Sequence, residues 1–235
     1  VKLHPLFKQF GSKWSSAKFY PWPEYSTIHE PFCGGAGYSL NHSERKVQLF
    51  DTDQNIAELW KWLIGPLATQ GAIMEIPVGI PEGTDIRTVG LSRGQSLLLK
   101  HWQRTNNVGE CWTISKWGHM PGQWTANTRA RVAEEAQAVK HWEFLSEPGA
   151  FTPETTHFVD PPYKGNYAYR QPLLDFARLA NEVQSGSGQI IVCEALNKDG
   201  TPPDWLPFEP LVSRVTSRRK KNNSHHRMEY IWQNS

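Results

Sequence analysis

Two adjacent prolines, Pro161 and Pro162, stand between an acid, Asp160, and an aromatic, Tyr163, directly after the apolar-leaning run His157-Phe158-Val159. Neither proline can donate an N–H, and Pro161 biases Asp160 towards extended backbone. The run reads as a short buried strand that ends in a turn. That turn holds a carboxylate and bare carbonyl oxygens at a strand's carboxyl end, with a ring directly behind them. In open α/β sheets the ligand crevice lies at such ends. A group of this kind can accept both hydrogens of an exocyclic amine while Tyr163 stacks on the heterocycle bearing it. That describes a pocket for a planar amino base such as adenine. The plainer reading of the tetrapeptide alone is a proline-stiffened turn with a solvated Asp160.

A chain of 235 residues fits one α/β domain with an inserted or appended lobe, since single cores saturate near ~250–300 residues. Eleven tryptophans, many outside any periodic pattern, suit core packing, base stacking or a partner interface. No run approaches the ~20 apolar residues of a membrane span. No basic-then-apolar signal peptide opens the chain, which begins at Val1 and can lack its original start. Cys33, Cys111 and Cys193 are widely spaced and odd in number, against a disulfide framework or zinc cluster and for a reducing, cytoplasmic compartment. A net charge of +2 is too small to imply nucleic acid unless the basic residues cluster.

Taken in order, Phe7-Lys8-Gln9-Phe10-Gly11-Ser12-Lys13-Trp14 mixes basic and aromatic residues around a Gly-Ser turn. It lacks the glycine spacing of a phosphate loop. Thr27 to Phe32 reads as a strand running into Cys33-Gly34-Gly35-Ala36-Gly37, where three glycines let the backbone turn sharply and approach a ligand closely. Val47 to Asp51 reads as a second buried strand ending in an acid suited to ribose hydroxyls. Asp53 can cap the following helix, whose stripe Ile56, Leu59, Trp60 and Leu63 faces a core. From about Gly71 to Gly122 regular patterning dissolves among Trp102, Trp112, Trp117, Trp124 and the cations Arg87, Arg93, Lys100, Arg104 and Lys116. Leu97-Leu98-Leu99 suggests a short buried element there. Such mixing suits nucleic acid, or equally a small irregular lobe stabilised by tryptophan.

Asn127-Thr128 can cap a helix reaching Leu145, with Val132, Ala136, Val139 and Trp142 or Glu143 inward. Gly165 to Arg170 forms a polar-aromatic loop placed to close over a base. Pro172 can open a helix with Leu173, Phe176, Ala177, Ala180 and Val183 inward. Gln189 to Glu194 is a buried strand, and two more lie near Leu211–Thr216 and Met228–Trp232. Between them, Arg218, Arg219, Lys220 and Lys221 make a basic hairpin loop able to lie on a phosphate backbone; an ordinary solvated loop is the alternative. His225-His226 lacks the acidic or Cys companions of a metal site.

Together these parts resemble the DNA adenine-N6 methyltransferases of the Dam type, including phage-borne members. Lys8 with Gly11-Ser12-Lys13, Glu30-Pro31-Phe32-Cys33-Gly34-Gly35-Ala36-Gly37, Phe50-Asp51, and Asp160-Pro161-Pro162-Tyr163 carry the likeness in that order, with Met228 to Asn234 similar to the family's last strand. The resemblance covers most of the two ends and little of residues ~65–150. It implies an α/β fold: a Rossmann-like, mostly parallel seven-stranded sheet with helices on both faces, binding S-adenosylmethionine. Residues 1–64 and 151–235 would form the catalytic domain and 65–150 an inserted target-recognition region, with the helix 128–145 part of the scaffold. Asp160, Pro161, Pro162 and Tyr163 would be catalytic. Phe10, Lys13, Phe32, Gly34, Gly35, Gly37, Asp51 and Asp160 would hold the cofactor. Lys8, Arg218, Arg219, Lys220 and Lys221 would meet double-stranded DNA. The chain departs from the family where Ser12 replaces the usual Gly and where Phe10 stands one position later than the family's aromatic. The implied partner is DNA, not membrane, and the implied state a monomer. Rival readings are an RNA adenine-N6 methyltransferase and a non-catalytic nucleic-acid-binding module on the same fold. Cytosine-N4 transfer fits less well, because Asp160 stands where those enzymes carry Ser or Thr.

Overall fold

The computed structural model describes residues 2–9, 11–103, 111–116, 118, 122–163, 174–197, 201–211 and 229–234. Strands β1 (Thr27–Glu30), β2 (Lys46–Leu49), β3 (Glu143–Phe144), β4 (Thr155–Val159), β5 (Gln189–Ala195), β6 (Glu209–Pro210) and β7 (Glu229–Gln233) form one mixed sheet. Its order is β3-β2-β1-β4-β5-β7-β6. From β3 through β5 every neighbouring pair is parallel, and β7 runs antiparallel to both β5 and β6. The molecule is thus an α/β protein whose sheet is compatible with a Rossmann-like arrangement.

Period-two alternation divides the interior. Phe158, Ile191 and Cys193 join one apolar cluster, whereas Val159, Ile190 and Val192 join another. Successive strand side chains point to opposite faces, so each face has its own core. Helix α1 (Gln54–Ile64) covers the first face with the expected stripe, since Ile56, Leu59, Trp60 and Leu63 are all buried. Asp53 caps it by accepting a hydrogen bond of 2.8 Å from Asn55 N. Helix α2 (Gln70–Met74), helix α3 (Arg93–Trp102) and helix α4 (Ala126–Glu135) add Ile73, Leu97, Leu98, Leu99, Trp102, Val132 and Ala133 to that same cluster. The opposite face is covered by helix α5 (Phe176–Ser185).

Several elements differ from the sequence expectation. The stretch that lacked regular patterning contains α3, begun by a reciprocal capping box between Ser92 and Gln95 and buried nearly all round. Gln95, Ser96, Lys100 and His101 are buried there along with Leu97, Leu98, Leu99 and Trp102, so burial in this helix does not follow residue polarity. The helix expected over 128–145 starts earlier, with Thr125 as its cap, and ends as α4 and a tight turn over Ala136–Val139. Trp142 is buried as expected, but Glu143 is an exposed residue of the edge strand β3. On α5 it is Leu179 that faces inward with Ala180 and Val183, while Ala177 is exposed. Asp175 caps that helix; Pro172 and Leu173 lie outside the described residues. Of the strand expected near Leu211–Thr216 only Leu211 is described, and it follows the two-residue strand β6 directly. Residues 212–228, with the basic loop, and the loop 165–170 also lie outside the described residues.

Candidate functional site

Chain connection reverses between β1 and β4: β2 lies on one side of β1 and β4 on the other. At such a switch point the turns leaving the two strands part, and a crevice opens at their carboxyl ends. Four segments reach this place. The glycine turn follows β1, Phe50-Asp51 follows β2, and Asp160 to Tyr163 follow β4. The fourth is the start of β7. Because β7 is antiparallel, its first residue, Glu229, pairs with Ala195 at the carboxyl end of β5.

The glycine turn is tightly specified. Phe50 N donates to Glu30 O and Cys33 N to Phe50 O, at 3.0 and 2.9 Å, extending the β1–β2 ladder into the turn. Gly34 adopts φ +44°, donates 2.8 Å from its N–H to Asp51 Oδ2, and accepts from Trp60 Nε1 at 2.8 Å. Asp51 Oδ1 accepts from Asp53 N at 2.8 Å. Burial raises the Asp51 carboxyl, and these backbone donors oppose the rise. A carboxylate has about four lone-pair sites, so Asp51 retains acceptor capacity. Gly37 serves another purpose than its place in a glycine-rich turn suggests. A Cβ there would lie 2.4 Å from Trp14 N and 2.9 Å from Lys13 N and C. The close approach at this glycine is made by the chain's own amino-terminal segment. Asn41 Nδ2 fastens that segment, donating to Gly37 O at 2.8 Å and Trp14 O at 3.2 Å.

Lys13 therefore joins the two halves of the site. Its backbone lies on Gly37, and its ammonium lies 2.8 Å from Asp160 Oδ1. Nζ also bonds the Tyr163 hydroxyl, stands 4.6 Å from that ring's centroid, and is 4.0 Å from Glu229 Oε1. Burial pulls the ammonium down, but Asp160, then Tyr163, Glu229 and Cys193, outweigh it and hold Lys13 well above the ordinary lysine value. Burial raises the Asp160 carboxyl against the opposing pull of Lys13. Asp160 Oδ1 is close to the ammonium yet accepts no aligned hydrogen bond.

No family model matches the chain, and no curated protein does either.

Of the residues singled out in the sequence, Lys13, Gly34, Gly37, Asp51, Asp160 and Tyr163 form this connected group. Gly35 lies beside it, where a Cβ would come within 3.3 Å of Gln9 Cβ. Phe32 packs against the core on the α5 face. Pro161 and Pro162 follow Asp160 directly. Phe10, Arg218, Arg219, Lys220 and Lys221 are outside the described residues. Lys8 is engaged within the fold, donating to Gln123 Oε1 at 2.9 Å and standing 5.3 Å from the Trp102 centroid. Arg131 stands 5.6 Å from the same ring; Lys100 and Arg93 stand 4.5 and 5.0 Å from that of Trp112. Aromatic and basic residues interleave here as cation–π contacts within the protein.

Sequence reasoning passed over Tyr20, Glu229, Glu30 and Cys193 as site residues. The Tyr20 hydroxyl donates to Glu229 Oε2 across 209 positions of sequence. Glu30 is 2% exposed and accepts from Ser39 N at 2.8 Å; burial pushes its carboxyl up to about 8. Burial likewise raises the Cys193 thiol. The one available signal was an acid opening an otherwise apolar final strand. Among the described residues no helix is long and apolar enough to cross a membrane.

Proposed function

We propose that the protein transfers a methyl group from S-adenosylmethionine to N6 of an adenine flipped out of double-stranded DNA. The observation that carries this reading is the Lys13 bridge, which sets the Asp160 carboxylate beside the glycine turn at the switch point of the sheet. The residues fit the cofactor in two respects. Asp51 has acceptor capacity left for a ribose diol next to a turn held open at Gly34. The carboxylates of Asp160 and Glu229 outnumber the single Lys13 ammonium, a balance that favours a cationic sulfonium. When bound, that cofactor supplies an electrophilic methyl carbon attached to positive sulfur.

Adenine N6 is a poor nucleophile because its lone pair is delocalised into the ring. The Asp160 carboxylate and the Pro161 carbonyl each accept one amine hydrogen, which favours a pyramidal nitrogen with its lone pair directed out of the ring plane. This is positioning and electrostatic preorganisation. Held by Asp51 and the glycine turn, S-adenosylmethionine would supply the methyl carbon to N6 and would keep the C–S electron pair on its sulfur. The nitrogen sheds one proton, and Asp160, raised by burial, is placed to take it before passing it to solvent. A paired adenine cannot enter a crevice at strand ends, so it must be extruded at a cost of ~a few kcal/mol. Stacking on Tyr163 offsets ~1–3 kcal/mol of that. The region 65–150 and the basic loop 218–221 are the parts assigned to DNA contact.

The test is transfer of labelled methyl from S-adenosylmethionine to unmethylated DNA, followed by sequencing that reports modified bases. Asp160→Ala is expected to abolish transfer with its circular dichroism unchanged. Wild-type transfer rates in that variant would overturn the assignment.

A further inference from the structure

In this structure one ammonium covers both groups that would grip the base. Lys13 Nζ lies 2.8 Å from Asp160 Oδ1, bonds the Tyr163 hydroxyl, and sits 4.6 Å from the Tyr163 ring centroid. An amine donating to Asp160 and a purine stacked on Tyr163 would meet Lys13 in their place. The ammonium must therefore yield, and a buried cation yields only towards another anion.

Glu229 is that anion. Its Oε2 is held by the Tyr20 hydroxyl, which leaves Oε1 turned to Lys13 at 4.0 Å. A charge-assisted N–H···O contact closes to ~2.8 Å, so the transfer is a movement of little more than ~1 Å at the end of a flexible four-carbon stem. We infer that Glu229, held by Tyr20, is a positioning residue that receives the Lys13 ammonium when the target base enters, releasing Asp160 and Tyr163 to bind it. The titratable groups facing Lys13 are Asp160, Tyr163, Glu229 and Cys193, and Gly11 O also accepts from its Nζ at 3.4 Å. Tyr20 stands behind Glu229, and Asp160 lies near enough to Glu30 to raise its carboxyl. No proton need move: the ammonium changes partners and stays charged throughout.

The inference rests on the methyl-transfer reading, and two measurements separate their failures. The first is steady-state methyl transfer by wild type, Glu229→Gln and Tyr20→Phe. The second is the titration of Lys13 itself in the free protein, followed by competitive acylation across graded pH and mass spectrometry. In Glu229→Gln we expect kcat to fall by at least ~10-fold with KM for DNA and for S-adenosylmethionine within ~2-fold, the signature of a contact needed after binding. We also expect Lys13 to titrate at lower pH, since one of its carboxylates is gone. Tyr20→Phe should shift both quantities the same way by less, and it carries the test should Glu229→Gln fail to fold. Unchanged kcat overturns the inference, as does a fall in kcat with the Lys13 titration unmoved, because a merely structural role would leave that titration in place. Wild-type protein that transfers no methyl group to any DNA overturns the proposed function, and the inference with it.

Discussion

Gly37 has room for a hydrogen and nothing larger. Its would-be Cβ meets backbone atoms of Lys13 and Trp14, which cannot swing aside as a side chain could. Gly37→Ala is expected to displace Lys13 and to cost ~1–3 kcal/mol as an overpacked site; urea unfolding measures the cost and methyl transfer its consequence. Gly35→Ala is the control, since its Cβ would meet Gln9 Cβ at the milder distance of 3.3 Å. A second prediction concerns Glu30, whose carboxyl burial pushes from 4.5 up to about 8. Between those values the folded protein keeps a proton that the unfolded chain has released, so stability falls as pH rises through the window. The slope is at most ~1.4 kcal/mol per pH unit for one proton. His29 acts oppositely. Burial, then His157 at 3.0 Å, lowers it from 6.5 to about 4, so its contribution is lost as pH falls from 6.5 towards 4. From pH 6.5 to 8 the Glu30 effect stands clear of His29. Glu30→Gln should remove that part of the decline in a series of denaturant midpoints, and an unaltered slope would refute the assignment.

At the scale of elements, helix ends are tied by distant residues. The Lys140 ammonium donates to Leu63 O, Gly65 O and Ala68 O at 2.7, 2.6 and 2.9 Å, gathering carbonyls at and just beyond the carboxyl end of α1. Hydrogen bonds to a charged group and a cation at a helix carboxyl end both stabilise. Lys140→Met is expected to lower unfolding free energy by ~1–3 kcal/mol, a change readable in urea or heat. Helix α3 depends on its start: Ser92→Ala should cost ~1 kcal/mol by breaking the capping box. Its neighbour Gly94 lets α3 settle under the Trp62 indole of α1, where a Cβ would come within 2.1 Å of ring carbon. Helix α3 was hard to read in the sequence because burial along it does not follow polarity. Gln95, Ser96, Lys100 and His101 are enclosed beside Leu97, Leu98, Leu99 and Trp102, so alternation of apolar and polar residues does not outline its buried surface.

Over the whole molecule, Lys8 and Arg131 lie over the Trp102 indole and Arg93 and Lys100 over that of Trp112, whereas Arg87 pairs with Asp85. Under the proposed function the burden of holding the DNA backbone falls on Arg218, Arg219, Lys220 and Lys221. Neutralising all four should weaken DNA binding and reduce the slope of log K against log salt by up to ~0.9 for each phosphate that the loop no longer neutralises. Titrations at several salt concentrations measure this, and an unchanged slope would remove the loop from the interface.

Five of the strands, β1, β2, β4, β5 and β7, and the stripe of α1 were legible because local residues dictate them: apolar runs punctuated by glycine and proline, and four apolar positions at helical spacing. The likeness of the two ends to a known motif order also named Lys13, Gly34, Gly37, Asp51, Asp160 and Tyr163, which the fold then joins. Only tertiary structure could reveal that Gly37 receives Trp14, that Tyr20 holds Glu229, and that Lys13 lies between two carboxylates. Those contacts are made by residues far apart in the chain that the fold brings together, and chain distance carries no trace of them. A local pattern records what a residue needs from its neighbours in sequence; a buried charge records what it needs from its neighbours in space.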